Sequence, residues 1–343
     1  MTKKLVIGII GNGKSANRYH LPFLLKLKDK ITVKKIYSLT PGKISKWAKI
    51  PDVDYTHDLD DLLKNPEIQA VLVCLPFHLH YEFALKVLQA GKHCVVEKPF
   101  VQTSEQAETL FNLAKEKGLV IQCYQNRRFD SDFLTTQGVI ESGKLGDLLE
   151  VEMHYDYYRP EVPGASTEFT PLKSYLYGHG CHTLDQVISY FGEPDSAHYD
   201  VRQLLGDGRM NDYFDVDVYY GELKVSLKSS YYRLKERPSF VVYGNKGVFV
   251  KQKKDKQEYH LKLFYMPDNP DFGLDTPEDY GTLTWLDDDG VFHEEKVVTV
   301  PGDYSRYYDA FYETVINGKE KLVKDEQTLF QIKMLEEGVK NLK

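Results

Sequence analysis

The chain has 343 residues, of which 28% are charged and 42% hydrophobic, and its formal net charge at pH 7 is −7. This length predicts two domains. Charges of both signs are mixed without a basic face or tail, and no apolar run reaches the length of a membrane span, so neither nucleic acid nor a membrane is expected as a partner. The short apolar run near the start lacks a signal-peptide cleavage pattern, which predicts a cytoplasmic location. The four scattered cysteines form no CxxC pair and are predicted to be reduced core residues.

The first predicted element is an apolar strand, Leu5–Ile10, that runs into the sequence Gly11-Asn12-Gly13-Lys14-Ser15-Ala16. A predicted helix over 15–28 and a second strand over 31–37 complete a βαβ unit. In this pattern the first glycine makes a tight turn, the second lets the backbone approach a pyrophosphate, and the small third residue allows close helix packing. These six residues are therefore predicted to bind a dinucleotide at a helix N-terminus. The alternative is a turn with a purely structural role.

The residues after the second strand bear on which nicotinamide cofactor binds. Sites that prefer NAD usually place an acidic residue there to hold the ribose 2′-hydroxyl. Here the segment 37–43 has no acidic residue but offers Ser38 and Thr40 as hydrogen-bond partners and Lys43 as a cation. The sequence therefore favours NADP, with NAD as the alternative; Lys43 is otherwise a solvated residue at the start of the next helix.

Three more strands are predicted over 70–75, 93–96 and 119–123, with intervening helices over 59–64, 78–90 and 103–117. Thr103 and Gln106 form a predicted capping box, and Gly91 and Gly118 are placed to end their helices. The fold class predicted for residues 1–124 is α/β, a doubly wound parallel sheet of the Rossmann type that binds dinucleotide.

Residues 125–343 have a different pattern, typical of an α+β domain with one large, mostly antiparallel open sheet. Helices are predicted over 130–142, 181–191, 304–316 and 326–342. Strands are predicted over 201–205, 213–220, 223–232, 240–243, 248–252, 259–264, 281–286 and 291–298. The loops 159–171 and 266–278 are interpreted as lids, with mobile surface segments or subunit contacts as the alternative.

Several motifs along the whole chain resemble those of the glucose–fructose oxidoreductase, inositol dehydrogenase and rhizopine-catabolism (Gfo/Idh/MocA) family of NAD(P)-dependent oxidoreductases. The most specific is Glu97-Lys98-Pro99. The motifs are the turn Gly11–Gly13, Pro76 with His80, Ala90–Pro99, Ile140–Gly146, and His182 with Asp185. The segments 126–130 and 156–160 resemble an uncharacterised bacterial subgroup.

The resemblance implies that Lys98 lies at the end of a Rossmann strand near the nicotinamide ribose and the substrate, with Lys98-Pro99 as a candidate cis peptide. An ammonium there would lower the pKa of a substrate alcohol and stabilise the developing alkoxide. The resemblance also implies a set of further cofactor contacts: Leu75, Pro76, His80, Glu97 and Asn126.

His182 maps onto the family's catalytic histidine, and an imidazole titrates close to working pH, so it is the candidate proton acceptor. Asp185, one helical turn away, is a candidate to orient the imidazole or to bind a substrate hydroxyl. Many family members carry an aspartate four residues before this histidine, where this chain has Gly178. A metal site at His179, Cys181 and His182 is not expected, because residues 181 and 182 point about 100° apart on a helix.

The substrate-binding residues are predicted from side chains near these motifs. The predicted set includes Lys98 and His182. Tyr157 and His179 could contribute ring contacts and hydrogen bonds. Arg127 and Arg159 could contribute positive charge that binds a phosphate or carboxylate. Alternating aromatic residues on such a sheet also build cores or subunit interfaces, and that alternative stays open.

The sequence thus predicts an oxidoreductase that moves a hydride between NADP and the CH–OH or ketone group of a sugar, polyol or related cyclic compound. The alternative is a protein of this fold that senses dinucleotide and sugar without catalysis. The resemblance implies that residues 125–343 form the substrate-binding and oligomerisation domain. It also implies a homodimer or homotetramer that assembles through the C-terminal sheet.

Overall fold

We describe the protein from a computed structural model, which covers residues 3–39 and 50–343. The chain divides into two compact units, each assembled from separated segments. The first comprises Met1–Asn126, Glu258–Phe272 and Tyr304–Leu329, and the second comprises Arg127–Gln257, Gly273–Asp303 and Phe330–Lys343. The predicted functional division between residues 124 and 125 stays a prediction.

The first unit contains the predicted parallel sheet. Its described strands are β1 (Leu5–Ile10), β2 (Ile31–Tyr37), β3 (Asp54–Thr56), β4 (Ala70–Val73), β5 (His93–Val96) and β6 (Ile121–Cys123). They are ordered β3-β2-β1-β4-β5-β6, and all neighbours are parallel. This is the strand order of a doubly wound dinucleotide-binding sheet, so the predicted Rossmann fold is confirmed.

The described helices include short and long ones in both units. They are α1 (Leu21–Lys26), α2 (Leu59–Leu63), α3 (His80–Gln89), α4 (Ser104–Glu116), α5 (Ser131–Glu141), α6 (Glu161–Gly164), α7 (Cys181–Phe191), α8 (Gln257–Lys262), α9 (Ser305–Asn317) and α10 (Asp325–Val339). The predicted capping box at α4 is present, because Thr103 Oγ1 accepts the N–H of Gln106 at 3.3 Å. Gly91 and Gly118 have φ of 74° and 64°, the left-handed conformation expected where helices end.

Helix α9 belongs to the first unit although it comes late in the chain. Its tyrosines reach the ends of the Rossmann strands: Tyr307 Oη donates to the Cys123 carbonyl at 2.8 Å, and Tyr312 Oη donates to the Lys3 carbonyl at 2.8 Å. Tyr308 is fully buried and also contacts Tyr124, with ring centroids 5.4 Å apart. The Rossmann sheet is therefore completed by a helix from near the C-terminus.

The second unit is built on a larger sheet. Its described strands are β7 (Leu148–His154), β8 (Ser196–Arg202), β9 (Tyr213–Tyr220), β10 (Leu223–Ser230), β11 (Phe240–Gly244), β12 (Gly247–Lys251), β13 (Gly281–Leu286) and β14 (Phe292–Val297), ordered β14-β13-β12-β11-β7-β10-β9-β8. Only the β7–β10 pair is parallel among them, so the predicted mostly antiparallel sheet is confirmed. Alternation buries Val151, Val216, Val225 and Leu227 in the core of this unit.

Two predicted strands need correction. The strand predicted over 201–205 lies earlier in the chain, because β8 spans Ser196–Arg202. The segment predicted as strand 259–264 begins with α8, Gln257–Lys262, instead. The helix starts where Asp255 Oδ1 accepts the N–H of Gln257 at 2.7 Å, and Glu258 and Lys262 form an ion pair at 2.7 Å one turn apart. Capping and an i,i+4 pair favour the helix over the strand that the aromatic and apolar residues of this segment suggested.

A buried carboxyl group in α5 gives the second unit a testable pH dependence. Burial, and then the charge of Asp255, raise the pKa of Asp132 from 3.8 to about 6. Because the folded chain holds this proton more tightly, the stabilising contribution is complete below about pH 4 and is lost as the pH rises through about 6. Asp132→Asn should therefore gain stability relative to the natural protein over this window, by about 3 kcal/mol at most above pH 7.

The measurement is the midpoint of thermal unfolding of both proteins between pH 4 and 8. Asp289→Asn, at an exposed aspartate, is the matched control and should follow the natural protein at every pH. A constant difference between Asp132→Asn and the natural protein across the range would contradict the shifted pKa.

Candidate active site

The glycine turn after β1 has the geometry that close approach by a pyrophosphate requires. Gly11 has φ of +116°, and a Cβ there would lie 2.1 Å from the Cys74 carbonyl oxygen. At Gly13 a Cβ would meet no described atom within 4 Å, so the space above this backbone is open. Asn17 holds the turn, since its Nδ2 donates to Asn12 Oδ1 and to the Gly13 carbonyl, each at 2.9 Å. Ala16 is completely buried, as expected for the position where the helix packs on the strand.

The predicted determinants of the 2′-phosphate are described only in part. Ser38 follows β2 and is half-buried, and its N–H donates to the Thr56 carbonyl at 2.9 Å. His57, which the sequence reasoning missed, has its Nδ1 2.9 Å from the Ser38 carbonyl oxygen. Thr40 and Lys43 lie outside the described residues.

The turn after β4 is held by His80. Its Nε2 lies 2.9 Å from the Leu75 carbonyl oxygen, and its Nδ1 lies 2.9 Å from that of Pro99. Burial lowers the pKa of His80, and the hydrogen bonds to the Leu75 and Pro99 carbonyls oppose that shift. The geometry shows His80 bracing the turn at Leu75 and Pro76 against the loop after Lys98; its contact with cofactor stays a prediction.

Glu97, at the end of β5, connects the glycine turn to Lys98. Its Oε1 accepts hydrogen bonds from His20 Nε2 at 2.7 Å and from Ser15 Oγ, and its Oε2 accepts the N–H of Lys98 at 2.9 Å. Burial opposes ionisation of this carboxyl, but the attraction and hydrogen bond of His20, followed by Lys98 and Ser15, lower its pKa to about 2. Glu97 is therefore a carboxylate at working pH. The Lys98-Pro99 peptide is cis, as the resemblance suggested.

The sequence reasoning missed the partners of Glu97. His20 Nδ1 lies 2.5 Å from Tyr308 Oη, so the imidazole is held at both nitrogens. His20, Cys74 and Glu97 also bring possible metal-ligand atoms within 4.8 Å of one another. Burial raises the pKa of the Cys74 thiol well above its ordinary value, and both nitrogens of His20 already lie within hydrogen-bond distance of oxygen atoms. This geometry is that of a hydrogen-bonded network; the absence of a metal site stays a prediction.

The second unit carries the predicted proton acceptor. His182 lies in the first turn of α7 and is 6% exposed. Asp185, one turn further on, gives both carboxylate oxygens to Arg128, accepting from Nε at 2.8 Å and from Nη2 at 2.7 Å. Burial raises the pKa of Asp185, and Arg128 opposes that shift. The ion pair connects α7 to the turn that contains Arg128. A direct role of Asp185 in catalysis stays a prediction.

Four predicted substrate-binding residues come together in the second unit. The ring centroids of Tyr157 and His179 are 5.1 Å apart, and the guanidinium carbon of Arg159 lies 4.5 Å from the Tyr157 centroid. The guanidinium carbon of Arg127 lies 4.8 Å from the centroid of Tyr155, whose ring centroid is 5.6 Å from that of Tyr157. The alternation of aromatic residues, read from the sequence as either site or core, here forms a cluster of rings faced by cations.

Gly178, where many family members carry aspartate, has open space around it. A Cβ at this position would meet no described atom within 4 Å, and the residue lies in the π-helical turn Leu176–Gly180. Gly178→Ala is therefore expected to stabilise the protein by about 0.5–1 kcal/mol, through the lower backbone entropy of the unfolded chain. Chemical denaturation measures this difference.

The matched control two residues later should have the opposite sign. A Cβ at Gly180 would lie 2.7 Å from Leu176 Cδ1 and 3.6 Å from Phe214 Cζ, both buried. Gly180→Ala should destabilise by about 1–3 kcal/mol, because the core must shift to admit the methyl group. Equal effects of the two substitutions would refute this interpretation.

Two family models match this chain. One describes the NAD-binding Rossmann fold of an oxidoreductase family and covers residues 5–125, and the other describes the C-terminal alpha/beta domain of that family and covers residues 137–342. The chain belongs to the Gfo/Idh/MocA oxidoreductase family. The resemblance inferred from its motifs is confirmed.

Relatives in this family match over nearly the whole chain. The uncharacterized oxidoreductase YhhX of Escherichia coli is 43% identical over 332 residues, which is 96% of this chain and 94% of YhhX. The scyllo-inositol 2-dehydrogenase (NADP(+)) IolW of Bacillus subtilis is 33% identical, covering 98% of this chain and 93% of IolW. The crystal structure of an oxidoreductase from Bacillus cereus superposes with a TM-score of 0.91 at 44% identity, covering 98% of this chain and 95% of that one.

Family membership confirms the predicted class of activity. The protein is an NAD(P)-dependent oxidoreductase, and a small molecule is the kind of substrate that this class acts on. In the described part of the chain, no helix is both long and apolar enough to cross a membrane.

Proposed function

We propose that this Gfo/Idh/MocA oxidoreductase transfers a hydride between NADP(H) and the CH–OH or ketone carbon of a sugar, polyol or related cyclic compound. The observation that carries the proposal is the connection through Glu97. One carboxylate binds both Ser15 in the glycine turn and the backbone N–H of Lys98. The Glu97 carboxylate therefore positions both the turn proposed to bind the dinucleotide and the backbone of the proposed catalytic lysine.

The residues of the first unit fit a dinucleotide. Gly11 is a position that only glycine satisfies, and the open backbone at Gly13 leaves room for a pyrophosphate. The nicotinamide, when bound, supplies the acceptor or donor of the hydride. Ser38, Thr40 and Lys43 are proposed to bind the 2′-phosphate of NADP, and the name of the relative IolW states NADP(+) as its cofactor.

In the proposed mechanism, the Lys98 ammonium binds the substrate oxygen and stabilises negative charge that develops there as the O–H proton leaves. His182 accepts that proton during oxidation and returns it during reduction. Glu97 keeps Lys98 in place through its backbone, and the Arg128–Asp185 pair keeps the helix of His182 in place. Lys98 thus binds the substrate and stabilises charge, and His182 transfers the proton.

The cofactor is tested by titrating the purified protein with NADPH and NADH and following the quenching of protein fluorescence. NADPH should bind about tenfold more tightly or better, since a 2′-phosphate gains charged hydrogen bonds. Tighter binding of NADH would overturn the choice of cofactor and leave the fold unaffected.

The reaction is tested by incubating the protein with NADP⁺ and a panel of sugars, inositols and linear polyols, and recording NADPH absorbance. Hydride transfer to NADP⁺ with any of them supports the proposal. The second candidate is a non-catalytic sensor of dinucleotide and sugar, which the missing carboxylate at Gly178 favours. Saturable binding of a sugar without turnover in either direction would support the sensor and overturn the enzyme.

We also propose that the protein forms a homodimer or homotetramer through the face of the large sheet that points away from its core. This face carries an ordered ladder of opposite charges: Lys224 and Glu150 are 2.5 Å apart, and Lys228 lies 3.7 Å from both Glu152 and Asp215. Light scattering of the purified protein tests the assembly, and Lys228→Glu should weaken it. A monomer at all concentrations would overturn it.

A further inference from the structure

The segment that carries Arg159 pairs with the segment that follows β10. Tyr158 and Tyr232 form an antiparallel bridge, the N–H of Arg159 donates to the Tyr231 carbonyl at 2.9 Å, and the N–H of Arg233 donates to the Tyr157 carbonyl at 3.0 Å. Residues that alternate with the bridging pair point to the opposite face of such a ladder. Tyr157, Arg159, Tyr231 and Arg233 therefore share one face, consistent with the 6.2 Å between the Tyr157 and Tyr231 ring centroids.

Three neighbouring cations are neutralised by carboxylates. The pairs are Arg127 with Asp130 at 3.2 Å, Arg237 with Asp156 at 2.8 Å, and Lys254 with Glu236 at 3.1 Å. Lys254 also lies 4.9 Å from the ring centroids of both Tyr155 and Tyr157. Each of these three cations therefore already has a carboxylate partner within the protein.

Arg159 and Arg233 differ from those three. Both are half-buried, and across residues 3–39 and 50–343 neither has a carboxylate oxygen within 4.0 Å. The Nε of Arg233 is buried and has no hydrogen-bond partner among the described residues. The guanidinium carbon of Arg159 lies 4.5 Å from the Tyr157 ring centroid, a contact that places no carboxylate beside its N–H groups.

This face borders the turn that leads to His182. The Tyr157 ring contacts His179, and His179 precedes His182 by one helical turn. Burial raises the pKa of Tyr231 to about 12, with the charge of Arg159 opposing the shift, so the ring stays a neutral hydrogen-bonding phenol beside the guanidinium. A group bound by the two arginines would thus lie next to the helix that carries the proposed proton acceptor.

We propose that Arg159 and Arg233 bind an oxyanion of the substrate, a carboxylate or a phosphate, so that the natural substrate is an acidic or phosphorylated sugar or polyol. The proposal rests on the proposed function and narrows its substrate class. Planar guanidinium groups match carboxylate and phosphate oxygens with paired hydrogen bonds, and a bound oxyanion would supply the charge that no described residue provides.

The first test measures binding without turnover. The protein is saturated with NADPH, so that the dinucleotide site is filled, and titrated calorimetrically at constant ionic strength with D-gluconate, inorganic phosphate and uncharged D-glucitol. We expect gluconate, phosphate or both to bind and glucitol to bind at least tenfold more weakly. The two anions distinguish a carboxylate site from a phosphate site. Equal binding of gluconate and glucitol without binding of phosphate, or no saturable binding of either anion, would overturn the proposal.

The variants Arg159→Gln and Arg233→Gln should weaken anion binding by about tenfold or more each, the loss typical of a charged hydrogen bond. Lys235→Gln, at an exposed lysine of the same connection, is the matched control and should bind as the natural protein does. Arg159→Lys keeps the charge and should bind more tightly than Arg159→Gln. Thermal unfolding of each variant shows whether it is folded, and unchanged anion binding in folded Gln variants would overturn the proposal.

A second test separates failure of this inference from failure of the proposed function. NADP⁺ reduction is followed with D-gluconate, glucose 6-phosphate and D-glucitol for the natural protein and Arg159→Gln. Turnover of gluconate or glucose 6-phosphate that Arg159→Gln leaves unchanged would overturn the anion site and preserve the proposed function. Arginine-dependent binding without any hydride transfer would preserve the anion site and count against the enzyme.

Discussion

Lys98→Met is expected to lower kcat by about a thousandfold or more while leaving the dissociation constant of the cofactor nearly unchanged. Methionine keeps most of the length of the side chain but has no positive charge, so the substrate oxygen loses its stabilising partner in the transition state. The N–H of Lys98 that binds Glu97 belongs to the backbone and survives the substitution. Steady-state kinetics with the substrate found in the screen, and fluorescence titration of NADPH, measure the two effects separately.

The conservative variant distinguishes charge from position. Lys98→Arg keeps a cation at the same point of the chain and should retain more activity than Lys98→Met, with an altered KM because the guanidinium is larger and planar. A Lys98→Met enzyme that keeps more than about a tenth of the natural kcat would contradict the assigned role, since loss of one oxyanion partner typically costs a hundredfold or more.

The parts of this molecule that the sequence predicted are those with local signals. The dinucleotide-binding turn is indicated by three residues within a six-residue segment, Gly11, Gly13 and Ala16. Helix α7 begins at Cys181 and ends at Phe191, as its sequence pattern predicted. Secondary-structure propensity and hydrophobic periodicity depend on residues that are close together in the sequence. A short sequence pattern therefore contains the information that specifies such an element. These elements could therefore be predicted from the residues themselves.

The parts that escaped prediction depend on residues far apart in the chain. Glu97 and His20 are 77 residues apart in the sequence, and His20 and Tyr308 are 288 residues apart. No local sequence pattern could therefore predict this hydrogen-bonded network. Arg233 lies in no sequence motif, and its place on the same face as Arg159 follows only from the pairing of two distant segments. Helix α8 was mistaken for a strand because its aromatic and apolar residues fit either period in so short a run.

Gly11→Ala is expected to destabilise the protein by at least about 3 kcal/mol, and with that to abolish dinucleotide binding. Two costs add. The backbone at Gly11 has φ of +116°, which L residues rarely adopt, and a Cβ would lie 2.1 Å from the backbone carbonyl oxygen of Cys74. That oxygen belongs to the chain that continues from β4, whose neighbour in the sheet is β1, so it cannot move aside as a flexible side chain would. Urea denaturation measures the loss of stability.

Gly13→Ala, two residues further along the same turn, separates folding from binding. A methyl group there would meet no described atom within 4 Å, so the folded protein should keep its stability within about 1 kcal/mol. The methyl group would instead fill space that a pyrophosphate needs, and NADPH should bind about tenfold more weakly or worse. Unchanged NADPH affinity in Gly13→Ala would show that the cofactor does not approach this backbone, and a stable Gly11→Ala would show that the turn is not as tight as the geometry requires. Loss of stability in one variant and loss of affinity alone in the other would assign the first glycine to the fold and the second to the cofactor.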